Sequence, residues 1–266
     1  MIIENGFFIM NGSGRGDKLR VQTAEELVEL INKVGFLPLF SNEVKGFSVE
    51  EHVHASSWWT GDINTDPWEW RETIFRGKQV AYGKFFGRKA GYISKEWLPY
   101  FANYRRDGYD FDARYQDGLA NRRQKLIMDF YMGEDANGDI VWKKDEILST
   151  DLKKLAGFGK GGEKNYPGII TDLQMMMYLV ITDFRRRVNK RGEPYGMSVS
   201  IMFPPETVWG YDTVTSAYSE APGESYERIV SRLRELFPDA DDDGETAYYG
   251  MSDEEINYVI KIINEF

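Results

Sequence analysis

The chain has no cysteine, and only two of its 266 residues are histidine. Without cysteine there are no disulfides, thiolate nucleophiles or cysteine-bound metal. His52 and His54 would share one face of a strand, but the sequence offers them no third ligand, so neither metal nor cofactor is expected. No apolar run is long enough for a membrane-spanning helix, and a membrane is not an expected partner. The opening Met1-Ile-Ile-Glu-Asn-Gly6 lacks the basic start and apolar core of a secretory signal, which makes a cytoplasmic location the expectation.

What is present points to a packed globular protein. Hydrophobic residues make up 42% and aromatics 15% of the chain, enough for a sizeable core. The net charge is −10, and it is unevenly spread. Residues 1–152 sum to −4, residues 153–197 to +5 and residues 198–266 to −11. A globally acidic chain repels phosphate. A local basic face can still act, because charges are screened beyond roughly 8 Å at physiological salt.

Punctuation along the chain divides it into an N-terminal extension (1–22), two helix–hairpin units (23–118 and 119–205) and an acidic helical region (206–266). Thr23, with Glu26 three residues on, caps a helix that runs to Val34 before Gly35. Residues 36–40 read as a buried connection. Asp66-Pro67 opens another helix, as N-cap and first helical residue. Residues 80–86 and 89–93 flank a Gly87-Arg88 turn and form a first hairpin. Ser94 caps a helix toward Arg105, with Pro99 marking a kink or a later start. Helices are expected over 119–131, after Ser149, over 170–181, over 222–236 and over 252–265. A second hairpin has its tip at Asn189-Lys-Arg-Gly192, and Pro204-Pro205 ends it. The predicted class is α+β, mostly helical, with tandem winged-helix-like units.

The basic segment carries the functional signal. A Gly/Lys loop, Gly157-Phe-Gly-Lys-Gly-Gly-Glu-Lys164, leads into an apolar helix, then Arg185-Arg186-Arg187 and the hairpin. Helix followed by basic hairpin is the order in which a winged helix meets a phosphate backbone. Lys160, Lys164, Asn165, Gln174, Arg185, Arg187, Lys190 and Arg191 are the candidate contacts, and duplex DNA is the expected partner. The competing reading is a solvated hairpin with arginines in surface ion pairs. Gly157, Gly159 and Gly162 fit the dinucleotide spacing, but no β-α-β pattern surrounds them, and Glu163 stands where a P-loop needs lysine. Asp135, Asn137, Asp139 and Glu146, like the acidic run 239–245, imitate a calcium loop and read better as turns.

A second cluster lies at 58–72, where Trp58, Trp59, Trp68 and Trp70 alternate with Asp62, Asp66, Glu69 and Glu72. The four tryptophans form either a stacking pocket for an unpaired base or part of a core. The carboxylates are the best catalytic candidates in the chain.

Val80-Ala-Tyr-Gly-Lys-Phe-Phe-Gly-Arg-Lys-Ala-Gly-Tyr-Ile-Ser-Lys-Glu-Trp-Leu-Pro-Tyr100 resembles a segment of the AlkZ/YcaQ winged-helix DNA glycosylases. With Gly35-Phe-Leu-Pro-Leu-Phe40, Asp66-Pro-Trp-Glu-Trp-Arg71, residues 101–110 and the Gly/Lys loop, the chain is similar to the shorter AlkZ-related proteins over about 23–238. The resemblance implies tandem winged helices and excision of alkylated bases without metal or cofactor. The enzymes' signature is Gln, an apolar residue, then Gln or Asp. The matching positions are Pro38, Leu39 and Phe40, which hold no polar group. The expectation is therefore a nucleic-acid-binding protein without the base-excision chemistry. One alternative is a divergent glycosylase acting through the carboxylates of 58–72, and another is a protein-interaction module.

Overall fold

The structure, a computed structural model, describes residues 2–4, 7–10, 12, 21–138, 140–236 and 251–265. Strands β1 (Ile2–Glu4) and β2 (Phe7–Ile9) form a small hairpin. Helix α1 (Ala24–Val34) begins where Thr23 Oγ1 accepts from Glu26 N, and it ends as Gly35, at φ 101°, donates to Ile31 O. Its buried Leu27, Leu30, Ile31 and Val34 repeat at helical spacing, so one face enters the core. Residues 36–38 are more than a connection. They form strand β3 (Phe36–Pro38), which pairs antiparallel with β5. Pro38 is tolerated there because β3 is the sheet's edge.

Helices α2 (Val49–His52) and α3 (Pro67–Ile74) precede the first hairpin, β4 (Val80–Phe86) and β5 (Lys89–Ser94). Ser94 completes β5 and caps no helix. Helix α4 (Leu98–Arg106) starts later, with Pro99 in its first turn, where the missing N–H costs nothing. Helix α5 (Phe111–Gln116) is followed by α6 (Arg122–Tyr131), which starts three residues later than the apolar pattern suggests. A capping box of Asn121 and Gln124 sets that start. Strands β6 (Met132–Glu134) and β7 (Ile140–Trp142) form a second small ribbon around the Asn137-Gly138 turn. Asp139 lies outside the described residues.

Helices α7 (Ser149–Leu155) and α8 (Tyr166–Met175) lead to the second hairpin, β8 (Val180–Val188) and β9 (Pro194–Phe203). The expected helix over 170–181 therefore ends six residues early. Met177 turns to φ 62°, and the apolar run continues as strand. An apolar stretch buried all round suits either state, so periodicity alone could not divide it. The chain closes with α9 (Pro205–Trp209), α10 (Tyr211–Val214), α11 (Pro222–Leu236) and α12 (Asp253–Asn264). The acidic run 239–245 lies outside the described residues.

The α+β class is as expected, and both helix–hairpin pairs are present. The two hairpins share one antiparallel sheet, in the order β3-β5-β4-β8-β9, joined where Tyr82 faces Ile181. Two cores flank this seam. The first gathers Leu27, Phe36, Trp70, Phe85 and Phe101. The second gathers Ile127, Tyr131, Leu152, Leu173 and Ile201. The C-terminal helices do not stand apart as a region of their own. Ile229 and Leu233 of α11, with Val259 and Ile263 of α12, complete the first core. No helix among the described residues is long and apolar enough to cross a membrane.

Candidate functional site

The β8–β9 hairpin outgrows the body that supports it. Residues 185–198 are all exposed, a projection of about four residues per strand plus the turn, or roughly 13 Å beyond the core at 3.3 Å per residue. Asn189 shapes the tip. Its Oδ1 accepts from Arg191 N (2.8 Å) and Glu193 N (3.1 Å), while Gly192 takes φ 81°. Arg187, Lys190 and Arg191, with Arg186, have no ion pair among the described residues. Arg185 differs, because it holds Glu146 (2.7 Å) and Asp183 (2.8 Å) at the root of the wing. Between Arg185/Val199 and Arg187/Tyr195 the register slips, and Gly196 lies at φ 72°. This bulge leaves Met197 89% exposed and brings the Ser198 hydroxyl to Glu72.

The rest of the basic segment lies elsewhere. β4 and β8 are antiparallel, so the Gly87-Arg88 turn and the wing tip point to opposite ends of the sheet. Helix α8 follows the first of these: Arg88 bonds Asp172 (2.7 Å) and the Gly168 carbonyl, while Gln174 Oε1 accepts from Lys84 N (3.0 Å). Lys160, Lys164 and Asn165, just before α8, are exposed at that end. Counting strand residues at about 3.3 Å each puts them on the order of 40 Å from the wing tip. Glu163 in this loop binds both Arg122 and Arg123, which hold its carboxyl below the usual range. Gln174 is only 2% exposed, and its amide is engaged inside the fold, accepting from Lys84 N and donating to Ile170 O.

The tryptophan cluster also divides. Trp58 and Trp70 are core residues, at 4% and 0% exposure. Trp59, at φ 65°, lies over Trp68 with ring centroids 4.6 Å apart. The Arg71 guanidinium sits 3.3 Å above Trp68 and 4.7 Å from Phe184, tying α3 to the wing's root. Phe40 stacks on Trp68 and packs at a tilt against Trp58, so the position matching the glycosylases' second polar residue is filled by an aromatic cluster.

The four candidate carboxylates have different jobs. Asp66 is fully buried as the N-cap of α3, accepting from Trp68 N and Gly61 N at 2.9 Å each. Asp66→Ala is expected to cost about 1–2 kcal/mol in urea unfolding, since both N–H groups lose their acceptor. An unchanged midpoint would contradict this role. Asp62 sits in an exposed turn, lowered by the Asn64 backbone N–H. Glu69 lies beside Glu72. Burial, then the charge of Glu69, raises Glu72 above the ordinary glutamate range, against the pull of Ser198.

A raised carboxyl favours the protonated form in the fold. Its contribution is therefore fully present below the unfolded value of 4.5 and is lost as pH rises through the folded value. Glu72→Gln should raise stability slightly at pH 7, by less than about 1 kcal/mol after solvent screening, and not at pH 4. An equal gain at both pH values would refute the assignment.

Glu72 opens onto a groove of about 290 Å³ between the two helix–hairpin units. The end of α3 and the following turn supply Phe75, Arg76 and Lys78, and the segment after β7 supplies Lys144 and Glu146. The sheet supplies Thr182, Asp183 and Phe203, and α9 supplies Thr207 and Val208. Sequence reading missed Arg76, Lys78 and Lys144. They are scattered singly in the chain, and only the β4–β8 seam gathers them.

A family model described as AlkZ related matches residues 21–247. No curated protein and no solved structure matches the chain. The match spans most of the chain, including the sheet, the groove and the wing, and the chain belongs to the AlkZ-related family.

Proposed function

We propose that this protein binds duplex DNA through the β8–β9 wing, without the base-excision chemistry of the AlkZ glycosylases. The observation that carries this reading is the row of cations on a hairpin that the core does not need: Arg186, Arg187, Lys190 and Arg191, unpaired among the described residues. A hairpin kept only for stability would bury a face or neutralise its arginines, as Arg185 does at the root. Phosphate contact needs neither base readout nor a basic protein overall, because the tip stands more than a Debye length from much of the acidic body. Lys160, Lys164 and Asn165 are too distant to share this footprint and would at most touch a separate stretch of backbone.

The test is a salt titration of duplex binding. Replacing Arg187, Lys190 and Arg191 together by alanine is expected to weaken affinity about tenfold or more at low salt. It should also lower the slope of log K against log salt by about three. Wild-type protein with no affinity at low salt would sink the reading.

One observation favours a second reading, a divergent glycosylase. Glu72 lines the groove, and burial raises its pKa, as a general acid or base requires. In that chemistry water attacks the sugar C1′, Glu72 takes the water's proton, and the C1′–N bond electrons leave with the base. Abasic-site formation on alkylated duplex, abolished in Glu72→Gln, would establish it, and complete inactivity of the wild type would remove it.

A further inference from the structure

The groove at the wing's root has more unneutralised donors than its position in the fold requires. Two of its carboxylates are already satisfied, since Asp183 and Glu146 both bind Arg185. The third, Glu72, contacts the Ser198 hydroxyl and is shifted toward its neutral form. Arg76, Lys78 and Lys144 line the same space and have no ion pair among the described residues. The Thr207 hydroxyl is buried with no hydrogen-bond partner among the described residues. A buried hydroxyl without a partner costs free energy unless a ligand or water completes it. The remaining walls are apolar: Phe75, Phe203 and Val208.

The walls are also fixed before any ligand arrives. Trp209 Nε1 donates to the Lys78 carbonyl (2.7 Å), and the Trp209 ring meets Phe75 edge-on at 5.9 Å. Arg71, clamped between Trp68 and Phe184, holds the helix that carries Glu72 and leads into the turn that carries Arg76. A preformed cleft with a few convergent polar groups on an apolar lining is the usual build of a small-ligand site. Three cations ask for a phosphate, the aromatic walls for a ring, and Glu72 with Thr207 for hydroxyls.

We infer that this groove binds a nucleoside phosphate, with Arg76, Lys78 and Lys144 on the phosphate and Phe75 and Phe203 against the ring. The nucleotide can come from two sources: an extrahelical residue of a duplex held by the wing, or a free mononucleotide. The inference does not depend on the wing's contact with DNA.

The test titrates the full chain with dAMP, inorganic phosphate and deoxyadenosine, following tryptophan fluorescence or heat. Expected is saturable dAMP binding at least tenfold tighter than either fragment. Lys144→Glu and Arg76→Glu should each weaken it at least tenfold, and Thr207→Val several-fold. Both charge reversals are at exposed positions, and an unchanged unfolding midpoint checks that the fold is intact. The wing triple-alanine variant should bind dAMP as the wild type does. No saturation at millimolar dAMP, equal affinity for phosphate alone, or indifference to Lys144→Glu and Arg76→Glu would each overturn the assignment.

A second arm compares a fully paired duplex with one carrying a single bulged nucleotide. Preference for the bulge that disappears in Lys144→Glu assigns the nucleotide to DNA, and dAMP binding without such preference assigns it to the free pool. A wing that fails to bind duplex leaves the dAMP result standing, so the two failures are distinguishable.

Discussion

Replacing Arg106 by methionine is expected to destabilise the protein by about 3–5 kcal/mol, the largest single effect on its polar interior. Arg106 and Glu206 are 0% and 2% exposed, 2.5 Å apart, and join α4 to α9. Burial disfavours the guanidinium charge, but Glu206, and after it Tyr218 and Tyr178, more than offset that and hold the arginine protonated. The same side chain donates to the Met177 carbonyl (2.6 Å) and meets the Tyr218 hydroxyl (3.3 Å). Methionine keeps much of the volume but strands a buried carboxylate and two further acceptors. The expected signature is therefore a double-mutant cycle. Arg106→Met with Glu206→Leu should recover most of the loss, because removing both charges removes the desolvation cost. Urea unfolding of the two single variants and the pair measures the coupling. Additive losses would show that the two groups do not act as a pair.

Truncating Trp70 to alanine is expected to cost about 3–5 kcal/mol, comparable in size but different in origin. Trp70 is fully buried in the first core, so its truncation removes a large packed side chain and opens a cavity. Its indole N–H has no partner among the described residues, so the side chain contributes volume and not a hydrogen bond. Trp70→Phe should then cost much less, about 1–2 kcal/mol. A phenylalanine variant as unstable as the alanine one would point to a hidden polar role. Trp70 also sits one residue before Arg71 and two before Glu72, so its loss loosens the helix that forms the groove wall. Affinity for dAMP should fall with stability in Trp70→Ala and survive in Trp70→Phe.

Much of this fold was legible from short-range chemistry. Thr23, Asp66 and Ser252 each accept the backbone N–H that starts a helix, and the Gly87-Arg88 and Asn189–Gly192 turns set both hairpins. Misreadings came where local preference was ambiguous. Residues 176–181 are apolar on every side, and 36–38 form a strand too short to show alternation. The candidate contacts were legible as a cluster in sequence, but their common face was not. Lys160, Lys164 and Asn165 separate from Arg187, Lys190 and Arg191 because an antiparallel neighbour reverses direction. Among the carboxylates of 58–72, composition could not rank Glu72 above Asp66. Burial as a helix cap and burial beside a groove look alike in a string of letters.

The sequence by itself determined the α+β class, the starts of the helices after Thr23 and Asp66, the two hairpin turns, the excess of positive charge between residues 153 and 197 and the family. Each depends on residues within a few positions of one another or on composition. Only the tertiary structure decided that two hairpins form one sheet and that the C-terminal helices complete the first core. It alone shows one wing standing free and a groove built from five separate segments. The reason is physical. Tyr82 and Ile181 are 99 positions apart, and their pairing follows from which apolar faces bury one another, a property of the whole chain that no local window contains.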